Sequence, residues 1–323
     1  MIRLAVDAMG MDKGSKVAVD AILDFLNTYK DVELTVFGKK EELELLEGKC
    51  NIVDCKEVMD MEDGALAILR KKETSMIKAI DYVKTNDLDG VVSGGSTGAF
   101  LTASTVYLKV IEGVERAALV SPFPTKTGGN VIILDIGANS ENTPDHLLGF
   151  ARMGNVFAKA YNDIENPRIY LLSNGAEEKK GSDLVKEAHK LIKESNLEGF
   201  KGNIEGRYVM YGDADVVVCG GFDGNILLKT AEGTAKVMSD MLKEGFKKNI
   251  FTKIGYLFSR SGVKILKERM DYKKYGGAML LGVNKVVVKA HGSSDAYAFY
   301  NALRVCYELA KKDMVSKLKE EMK

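Results

Sequence analysis

The residues best suited to hold an anion lie in VVSGGSTGAFLTAS (91–104), where an apolar run ends at Ser93. Glycines let backbone N–H groups point at one place, and the start of a helix adds positive potential there. The segment matches neither GxxxxGK[ST] nor GxGxxG, which disfavours a nucleotide P-loop and a dinucleotide-binding enzyme. We therefore predict a cradle for an anion or a polar head group, made by Gly94, Gly95, Ser96, Thr97 and Gly98.

A second candidate is AHGSSDAYAFYNALR (290–304), which follows the apolar run KVVVKA. Ser293 or Ser294 is predicted to cap the final helix, with Asp295 in its first turn. A Ser–His–Asp triad within five residues is disfavoured, because the fold rather than adjacency brings triad members together. His291 is better suited to act alone, as a donor or an acid.

Two further loops carry polar side chains. SNGAEEKKGSD (173–183) places Lys179 and Lys180 beside a turn, either as solvated charges or as a point charge for phosphate. GGFDGNILLKTAEG (220–233) places Asn225 where a helix opens, so that its amide either caps the helix or donates to a carbonyl oxygen.

Short apolar runs alternate with helical patterns along the chain, which predicts an α/β fold with a largely parallel sheet. Ligands bind outside the carboxyl ends of such strands, so we expect the glycine-rich loops to converge on one cleft. The predicted strands lie at 2–8, 32–38, 51–56, 88–94, 117–123, 130–137, 168–175, 214–221 and 285–292, and the helices at 15–29, 63–85, 143–161 and 182–195.

Composition narrows the classes of function. The 323 residues include 46 basic and 46 acidic residues, which argues against general binding of nucleic acid. The four cysteines are scattered and no histidine stands at metal-ligand spacing, so no metal site is predicted and a reducing compartment is favoured. The N-terminal sequence does not have the pattern of a signal peptide, so a cytoplasmic location is predicted.

Residues 230–274 interrupt the alternation and predict a helical hairpin within a single 1–323 domain. Between Lys243 and Lys274 there are ten basic and three acidic residues. A basic amphipathic helix of this kind suits an anionic membrane or an acidic partner. A core helix with one solvated face, or a helix at a dimer interface, has the same pattern. Its candidate contact residues are the apolar Ile250, Phe251, Ile254, Leu257 and Phe258 and the basic Lys247, Lys248 and Lys253.

The loops in this order resemble the bacterial phosphate acyltransferase family of glycerophospholipid synthesis (PlsX, acyl-carrier-protein:phosphate transacylase). The resemblance runs nearly end to end. Three positions depart from the family pattern: Met11 replaces a glycine, Ser96 an asparagine and Asp223 a threonine. The resemblance is carried by AVDAMG (5–10), VVSGGSTGA (91–99), DIGAN (135–139), EEKKG (177–181), GNIEGR (202–207), GF-GN--LK (221–229), YGGA-LLG (275–282) and KAHGSSD (289–295).

The resemblance implies an enzyme in which orthophosphate attacks the thioester of a fatty acyl chain on acyl carrier protein. The product, an acyl phosphate, would pass to a membrane glycerol-3-phosphate acyltransferase. The implied fold is a Rossmann-like three-layer α/β/α sandwich related to phosphotransacetylase and isocitrate dehydrogenase. A homodimer, peripheral association with the membrane, no cofactor and no obligatory metal are also implied.

By the same resemblance, three residues are assigned to catalysis. Lys180 would offset charge on phosphate and the oxyanion, Asn225 would donate to the acyl carbonyl, and His291 would orient phosphate or protonate the departing thiol. Phosphate and the carrier arm would bind at Gly94–Gly98, Asn139, Ser293 and Ser294, and Asp7 and Asp12 would order the first loop.

Two alternative functions remain open on the sequence. One is a phosphotransacylase acting on short-chain acyl-CoA, and the other is a non-catalytic scaffold that docks the carrier protein at the membrane.

Overall fold

The structure, a computed structural model, describes residues 1–60, 63–269 and 272–323. Within these residues the chain forms one sheet of eleven strands. The strands are β1 (Ile2–Asp7), β2 (Val32–Gly38), β3 (Asn51–Asp54), β4 (Gly90–Ser93), β5 (Ala118–Pro124), β6 (Asn130–Leu134), β7 (Ile169–Ser173), β8 (Phe200–Glu205), β9 (Val216–Val218), β10 (Ala278–Leu281) and β11 (Val286–Lys289).

Helices cover both faces of this sheet, so the predicted Rossmann-like three-layer α/β/α fold is confirmed. Leu4 and Val6 of β1 pack into one apolar core, whereas Ala5 between them packs into the other. The α-helices are α1 (Lys16–Thr28), α2 (Ser75–Thr85), α3 (Thr97–Leu108), α4 (Pro144–Asn162), α5 (Asp183–Glu194), α6 (Gly221–Lys247), α7 (Ile250–Arg269), α8 (Ala296–Lys311) and α9 (Met314–Glu321).

The strand order is β3-β2-β1-β4-β11-β10-β5-β6-β9-β7-β8. Most neighbours are parallel, but β10 pairs antiparallel with both β11 and β5, and β5 pairs antiparallel with β6. As a result, β6, β9, β7 and β8 run opposite to β1, β4 and β11. The glycine-rich loops therefore do not all lie at the same end of the strands. The loops after β1, β4 and β11 lie at one end of the strands, and the loops after β6, β7 and β9 lie at the other end.

All nine predicted strands are present, and β8 and β10 are additional. β8 (FKGNIE) was missed because its residues are largely polar or small, as suits a strand at the edge of the sheet. The helix predicted over 63–85 begins only at Ser75, after a short 3-10 helix at Ala65–Leu69, and residues 61 and 62 lie outside the described part. The cap of α8 is Asp295 rather than a serine, because its side chain accepts the backbone N–H of Ala298.

The hairpin predicted at 230–274 consists of α6 and α7 packed against each other. α6 begins at Gly221, directly after β9, so its first turns belong to the sheet-covering layer and its later turns to the hairpin. Met270 and Asp271 lie outside the described residues. No helix in the described ranges has both the length and the apolar character needed to cross a bilayer.

Candidate functional site

A groove of about 920 Å³ runs across one face of the sheet, over its two central antiparallel strands. Leu119, Ser121 and Phe123 of β5 and Ala278 and Leu280 of β10 form its floor. These residues alternate along each strand, so all of them face the groove. Leu119 and Phe123 are four residues apart, which makes the floor roughly 13 Å long. The volume is near the upper end of the range of about 300–1,000 Å³ typical of small-molecule sites.

Two helices wall the groove. α3 contributes Thr97, Gly98, Leu101, Thr102 and Thr105, which share one helical face. α6 contributes Asn225, Leu228, Lys229 and Glu232 from the opposite side. The groove follows the length of β5 and β10. It therefore reaches the glycine-rich loops at both ends of the strands.

One end, which we call the Lys289 end, is formed by the loops after β1, β4 and β11. Its polar residues are Asp12, Thr97, Lys289, His291, Ser293 and Ser294. The other, the Asn225 end, is formed by the loop after β6 and the start of α6. It contains Gly137, Ala138, Asn139 and Asn225, together with Glu115 and Arg116.

The glycine loop at the Lys289 end is organised by Asp7. Its buried carboxylate accepts hydrogen bonds from Ser75 Oγ and Ser93 Oγ, both at 2.7 Å, and Ser93 Oγ in turn accepts the backbone N–H of Gly95 at 3.1 Å. Burial raises the pKa of Asp7, and the donors from Ser93, Ser75 and Met9 oppose that rise. Asp7 thus fixes the start of the glycine turn, and Asp12 lies at the mouth, with its N–H donated to the carbonyl of Gly292.

Met11 packs directly on the glycine loop. A Cβ at position 94 would lie 2.4 Å from Met11 Cγ, so the space that a side chain on Gly94 would need is filled by this methionine. Met11 is 6 % exposed and belongs to the apolar core. Gly94 is therefore required by packing, whereas Gly95 and Gly98 line the groove itself.

The N-terminus of α3 opens into the same end. Ser96 occupies the cap position, but its side chain makes no capping hydrogen bond. The first intrahelical donor is the N–H of Phe100, which bonds to the carbonyl of Ser96, so the N–H groups of Thr97 and Gly98 have no helical acceptor. Thr97 and Gly98 line the groove, and the helix terminus carries partial positive charge there.

Lys289, which the sequence argument passed over, ends β11 at the groove wall and is only 5 % exposed. Its ammonium group donates to the carbonyl of Ala290. Burial lowers the pKa of Lys289 to about 8, and the negative charges of Asp7 and Asp12 oppose that shift. The sequence shows that Lys289 closes the apolar run VVV two residues before His291, but it does not show that the ammonium group is buried.

His291 remains exposed in the groove and its tautomer is defined by Ser293. The backbone N–H of Ser293 donates to His291 Nδ1 at 3.2 Å, and Ser293 Oγ lies 2.8 Å from the same nitrogen. Nδ1 therefore accepts, and the neutral ring carries its proton on Nε2. Partial burial, with the charges of Lys229 and Lys289, lowers the pKa of His291, so the ring is neutral at pH 7.

At the opposite end, Asp135 organises the loop after β6. Its carboxylate accepts the backbone N–H groups of Leu119, Gly137, Ala138 and Asn139 and the side-chain amide of Asn139, at 2.8–3.0 Å. Asn139 also donates to the carbonyl of Ala117. The side chain of Asn139 is thus engaged in holding the loop.

Asn225 lies against this loop. A Cβ at Gly137 would be 3.5 Å from Asn225 Cβ, and the positive φ of Gly137 lets the loop approach the helix closely. Lys229, one turn further along α6, contributes to the electrostatic environment of His291. Of the three residues assigned to catalysis, the structure therefore places Asn225 and His291 along one groove.

Lys180 does not line that groove. It lies in the loop after β7, exposed, with its side chain folded over Gly175. The loop is anchored from behind, because Asn203 Nδ2 donates to the carbonyl of Glu177 and His189 Nδ1 lies 2.9 Å from Asn203 Oδ1. This hydrogen bond links the segment EEKKG (177–181) to the segment GNIEGR (202–207), and the catalytic role of Lys180 stays a prediction.

The predicted contact residues of the hairpin are exposed. Phe251 and Phe258 are 80 % and 85 % exposed, and Ile250, Ile254 and Leu257 continue the same surface. Lys247 and Lys248 lie at the turn between α6 and α7, and Lys253 follows on α7. As for metals, the described residues contain no group of three or more His, Cys, Asp or Glu side chains arranged to hold an ion.

The chain is an α/β sandwich whose groove joins an apolar strand floor to a buried cation and open helix N–H groups. Comparison with known proteins gives the class of protein. A model of the family described as "Fatty acid synthesis protein" matches residues 2–317.

The chain belongs to the phosphate acyltransferase family and is an acyltransferase. It is 43 % identical over 329 aligned residues to the phosphate acyltransferase of Clostridium perfringens (strain SM101), with 99 % of this chain and 97 % of the relative covered. It is 39 % identical to the enzyme of the same name from Staphylococcus aureus (strain MRSA252), with 99 % and 98 % covered.

Solved structures agree on the fold. A phosphotransacetylase from Streptococcus pyogenes superposes with a TM-score of 0.64 at 19 % identity, covering 96 % of this chain and 94 % of that one. A branched-chain phosphotransacylase from Enterococcus faecalis gives 0.58 at 17 % identity, covering 95 % and 99 %. At such identities the likeness concerns the architecture only.

Proposed function

We propose that the protein transfers a long-chain fatty acyl group from acyl carrier protein to orthophosphate and releases acyl phosphate. The observation that carries this proposal is the groove, which combines an apolar strand floor with an end rich in N–H donors and positive charge. Its 920 Å³ is more than a two-carbon acyl group needs. The family membership supplies the reaction type.

The chemistry requires little beyond positioning and charge stabilisation. An oxygen of hydrogen phosphate attacks the thioester carbon, and the C–S bond breaks as the C–O bond forms. The proton of hydrogen phosphate ends on the departing thiolate, which balances the reaction. His291 suits the leaving group because its Nε2–H points away from the bonds that Ser293 makes to Nδ1, so the neutral ring would donate a hydrogen bond to the departing sulfur.

The acyl carbonyl would lie on the Asn225 side of the groove, and the departing sulfur on the side of His291. The side chain of Asn225 makes no hydrogen bond to any described residue and lines the groove, so its amide is available to donate to the acyl carbonyl. The acyl chain would follow the floor over Leu119 and Leu280. Thr97, Gly98 and Ser294 would hold phosphate or the carrier arm at the Lys289 end.

Lys180 would act on the reaction from outside the groove, which it does not line. Its ammonium would approach the developing negative charge only after its loop moves, since the side chain is exposed and folded over Gly175. The anchoring by Asn203 and His189 gives the loop a fixed base about which such a movement would occur.

The hairpin would bind the membrane surface and the carrier protein. An exposed face with Phe251 and Phe258, next to Lys247, Lys248 and Lys253, suits an anionic membrane surface, and the same basic residues suit the acidic carrier protein. A homodimer would also use part of this exposed surface. Charge reversal of the three lysines should weaken binding to anionic liposomes at low salt. Reversal of Lys39, Lys40 and Lys49, which lie outside the hairpin between β2 and the outermost strand β3, serves as the control.

The direct test offers two donors with labelled phosphate. Long-chain acyl carrier protein should give labelled acyl phosphate at a much higher specificity constant than acetyl-CoA. The reverse preference would favour the short-chain alternative. Binding of the acylated carrier without any labelled product would favour a scaffold and contradict the proposed reaction.

A further inference from the structure

Lys289 is a buried cation that forms no ion pair with any residue that the structure describes. The other lysines at its end of the groove are paired with carboxylates: Lys229 with Glu232 at 2.9 Å and Lys273 with Asp295 at 2.5 Å. Within the ranges that the structure describes, Lys289 takes part in no ion pair, and its hydrogen-bond acceptor is the carbonyl of Ala290. An ammonium group has three donors, so two are left unused.

Buried polar groups in folded proteins have partners, and a buried charge is costly when it is alone. Asp7, a buried acid whose charge acts on Lys289, accepts hydrogen bonds from Ser75, Ser93 and Met9 and forms no salt bridge with Lys289. The sheet therefore holds an ammonium group at the groove wall that no carboxylate among the described residues contacts directly, while Asp7 and Asp12 act on it only at longer range.

The surroundings of this ammonium are also rich in hydrogen-bond donors. The N-terminus of α3 directs the N–H groups of Thr97 and Gly98 toward the same end, and His291 carries a proton on Nε2. Ser294, which is 4 % exposed, adds a hydroxyl to the lining. Asp12 places one carboxylate at the mouth of this end, whereas the ammonium group, the helix N–H groups and the N–H of His291 are donors of the kind that bind a multiply charged oxyanion.

We propose that Lys289 is a further catalytic residue, one that binds the reacting orthophosphate between its ammonium group and the N-terminus of α3. This inference deepens the proposed function by placing one of its two substrates. It leaves His291 and Asn225 for the acyl carbonyl and the leaving thiol.

A phosphate group could also come from the phosphodiester of the carrier's pantetheine arm, and the depth of Lys289 separates the two sources. A side chain that is 5 % exposed suits a small anion that enters completely, whereas a phosphodiester remains tied to the carrier surface. The thioester must reach the reaction centre, so the arm's own phosphodiester lies an arm's length away from it.

Arg116 is the competing cation. It lines the opposite end of the groove beside Glu115, and it too takes part in no ion pair among the described residues. Unlike Lys289 it is exposed, so water already satisfies it.

The test measures equilibrium binding of inorganic phosphate by calorimetry, on the full-length protein without any acyl donor. Lys289→Met should weaken phosphate binding about 10- to 100-fold, the worth of a charge-assisted hydrogen bond, and Lys289→Arg should keep part of the affinity. Lys285→Met is the matched control, because it makes the same change at the opposite end of β11, where the lysine pairs with Asp87 outside the groove. Lys285→Met and Arg116→Met should leave phosphate affinity unchanged.

Unchanged phosphate binding in Lys289→Met, or a wild type that binds no phosphate, overturns the inference. So does a loss confined to Arg116→Met. A second titration uses the unacylated carrier with its arm: if Lys289→Met weakens carrier binding but not phosphate binding, the arm's phosphodiester is the ligand and the inference is wrong. Because no acyl transfer is measured, a protein that binds phosphate through Lys289 yet makes no acyl phosphate would refute the proposed function alone.

Discussion

Lys289 and Lys180 both follow apolar strands, yet their environments are opposite. Lys289 ends β11, is 5 % exposed and has no counter-ion among the described residues. Lys180 lies in the loop after β7, exposed to water, behind which Asn203 and His189 form a structural network. Position in a family motif singles out Lys180, whereas burial without an ion pair singles out Lys289. A solvated lysine needs no explanation, whereas a buried unpaired one does.

The largest expected difference concerns turnover. Lys289→Met should lower kcat/KM for phosphate about 10²- to 10³-fold, since one preorganised donor to the reacting anion is lost. Lys180→Met should lower kcat if the predicted role is correct, but it should leave the equilibrium affinity for phosphate unchanged. The two losses are separated by measuring phosphate affinity beside steady-state rates. Equal losses of phosphate affinity in both variants would remove the distinction between the two regions.

The next difference is in stability. Lowering the pKa of Lys289 from 10.5 to about 8 corresponds to a cost of about 3 kcal/mol for keeping it charged at pH 7. Lys289→Met should therefore raise the free energy of unfolding, by about 1–2 kcal/mol once the lost bond to Ala290 is counted. Urea unfolding at pH 7 measures this.

A matched control for stability is Asp135→Ala, which removes a buried charge that is fully hydrogen-bonded. It should destabilise by about 3 kcal/mol or more, because several buried donors lose their acceptor. A comparable loss in Lys289→Met would show that Lys289 is structural.

The pH dependence of phosphate binding gives a smaller effect. A lysine with a pKa of about 8 is charged at pH 7 and mostly neutral at pH 9, so phosphate affinity should fall about 10-fold over that range. The acidic groups acting on Lys289 are Asp7 and Asp12, which favour its charged form. His291, whose pKa is lowered, is already neutral at pH 7, and the remaining charged groups nearby, Lys229 and Glu232, form a pair.

Arginine stays protonated throughout this range. Lys289→Arg should therefore bind phosphate with little change between pH 7 and 9. The same fall in affinity in Lys289→Arg as in the wild type would assign the titration to another group.

The smallest effect concerns the Lys180 loop. Asn203→Ala removes the donor to the carbonyl of Glu177 and the partner of His189, so the loop should open more readily by about 1 kcal/mol. Hydrogen exchange of residues 177–181 measures the change. Lys193→Ala, which breaks the exposed pair with Glu178, is the control and should have a smaller effect. No change in exchange for Asn203→Ala would mean that the network does not anchor the loop.

The sequence predicts the architecture well because buried strands are local signals. Runs such as NVIIL and VVV predict strands without knowledge of their neighbours. The direction of each strand is not local: β10 was not predicted from AMLL, and it is the antiparallel pairs of β10 and β5 that place the loop after β6 at the far edge. The groove across the sheet face was unpredictable for that reason.

The site was predicted in part. The loops around Gly95 and His291 and the start of α6 at Asn225 do meet one groove, because glycine and serine at strand ends are recognisable in the sequence. Lys289 was missed, since a lysine that ends a strand gives no sign of whether its ammonium group is buried. The engagement of Asn139 by Asp135 also depends on a long-range contact with Ala117 that no spacing predicts.

The central claim is that the reacting anion binds where the protein buries an unpaired ammonium group. A crystal structure of the protein with arsenate, an analogue of phosphate whose anomalous scattering locates it, tests this directly. The account predicts a tetrahedral anion within hydrogen-bond distance of Lys289 Nζ and the N–H groups of Thr97 or Gly98. An anion held instead by the loop around Lys180, with the Lys289 end vacant, would contradict it.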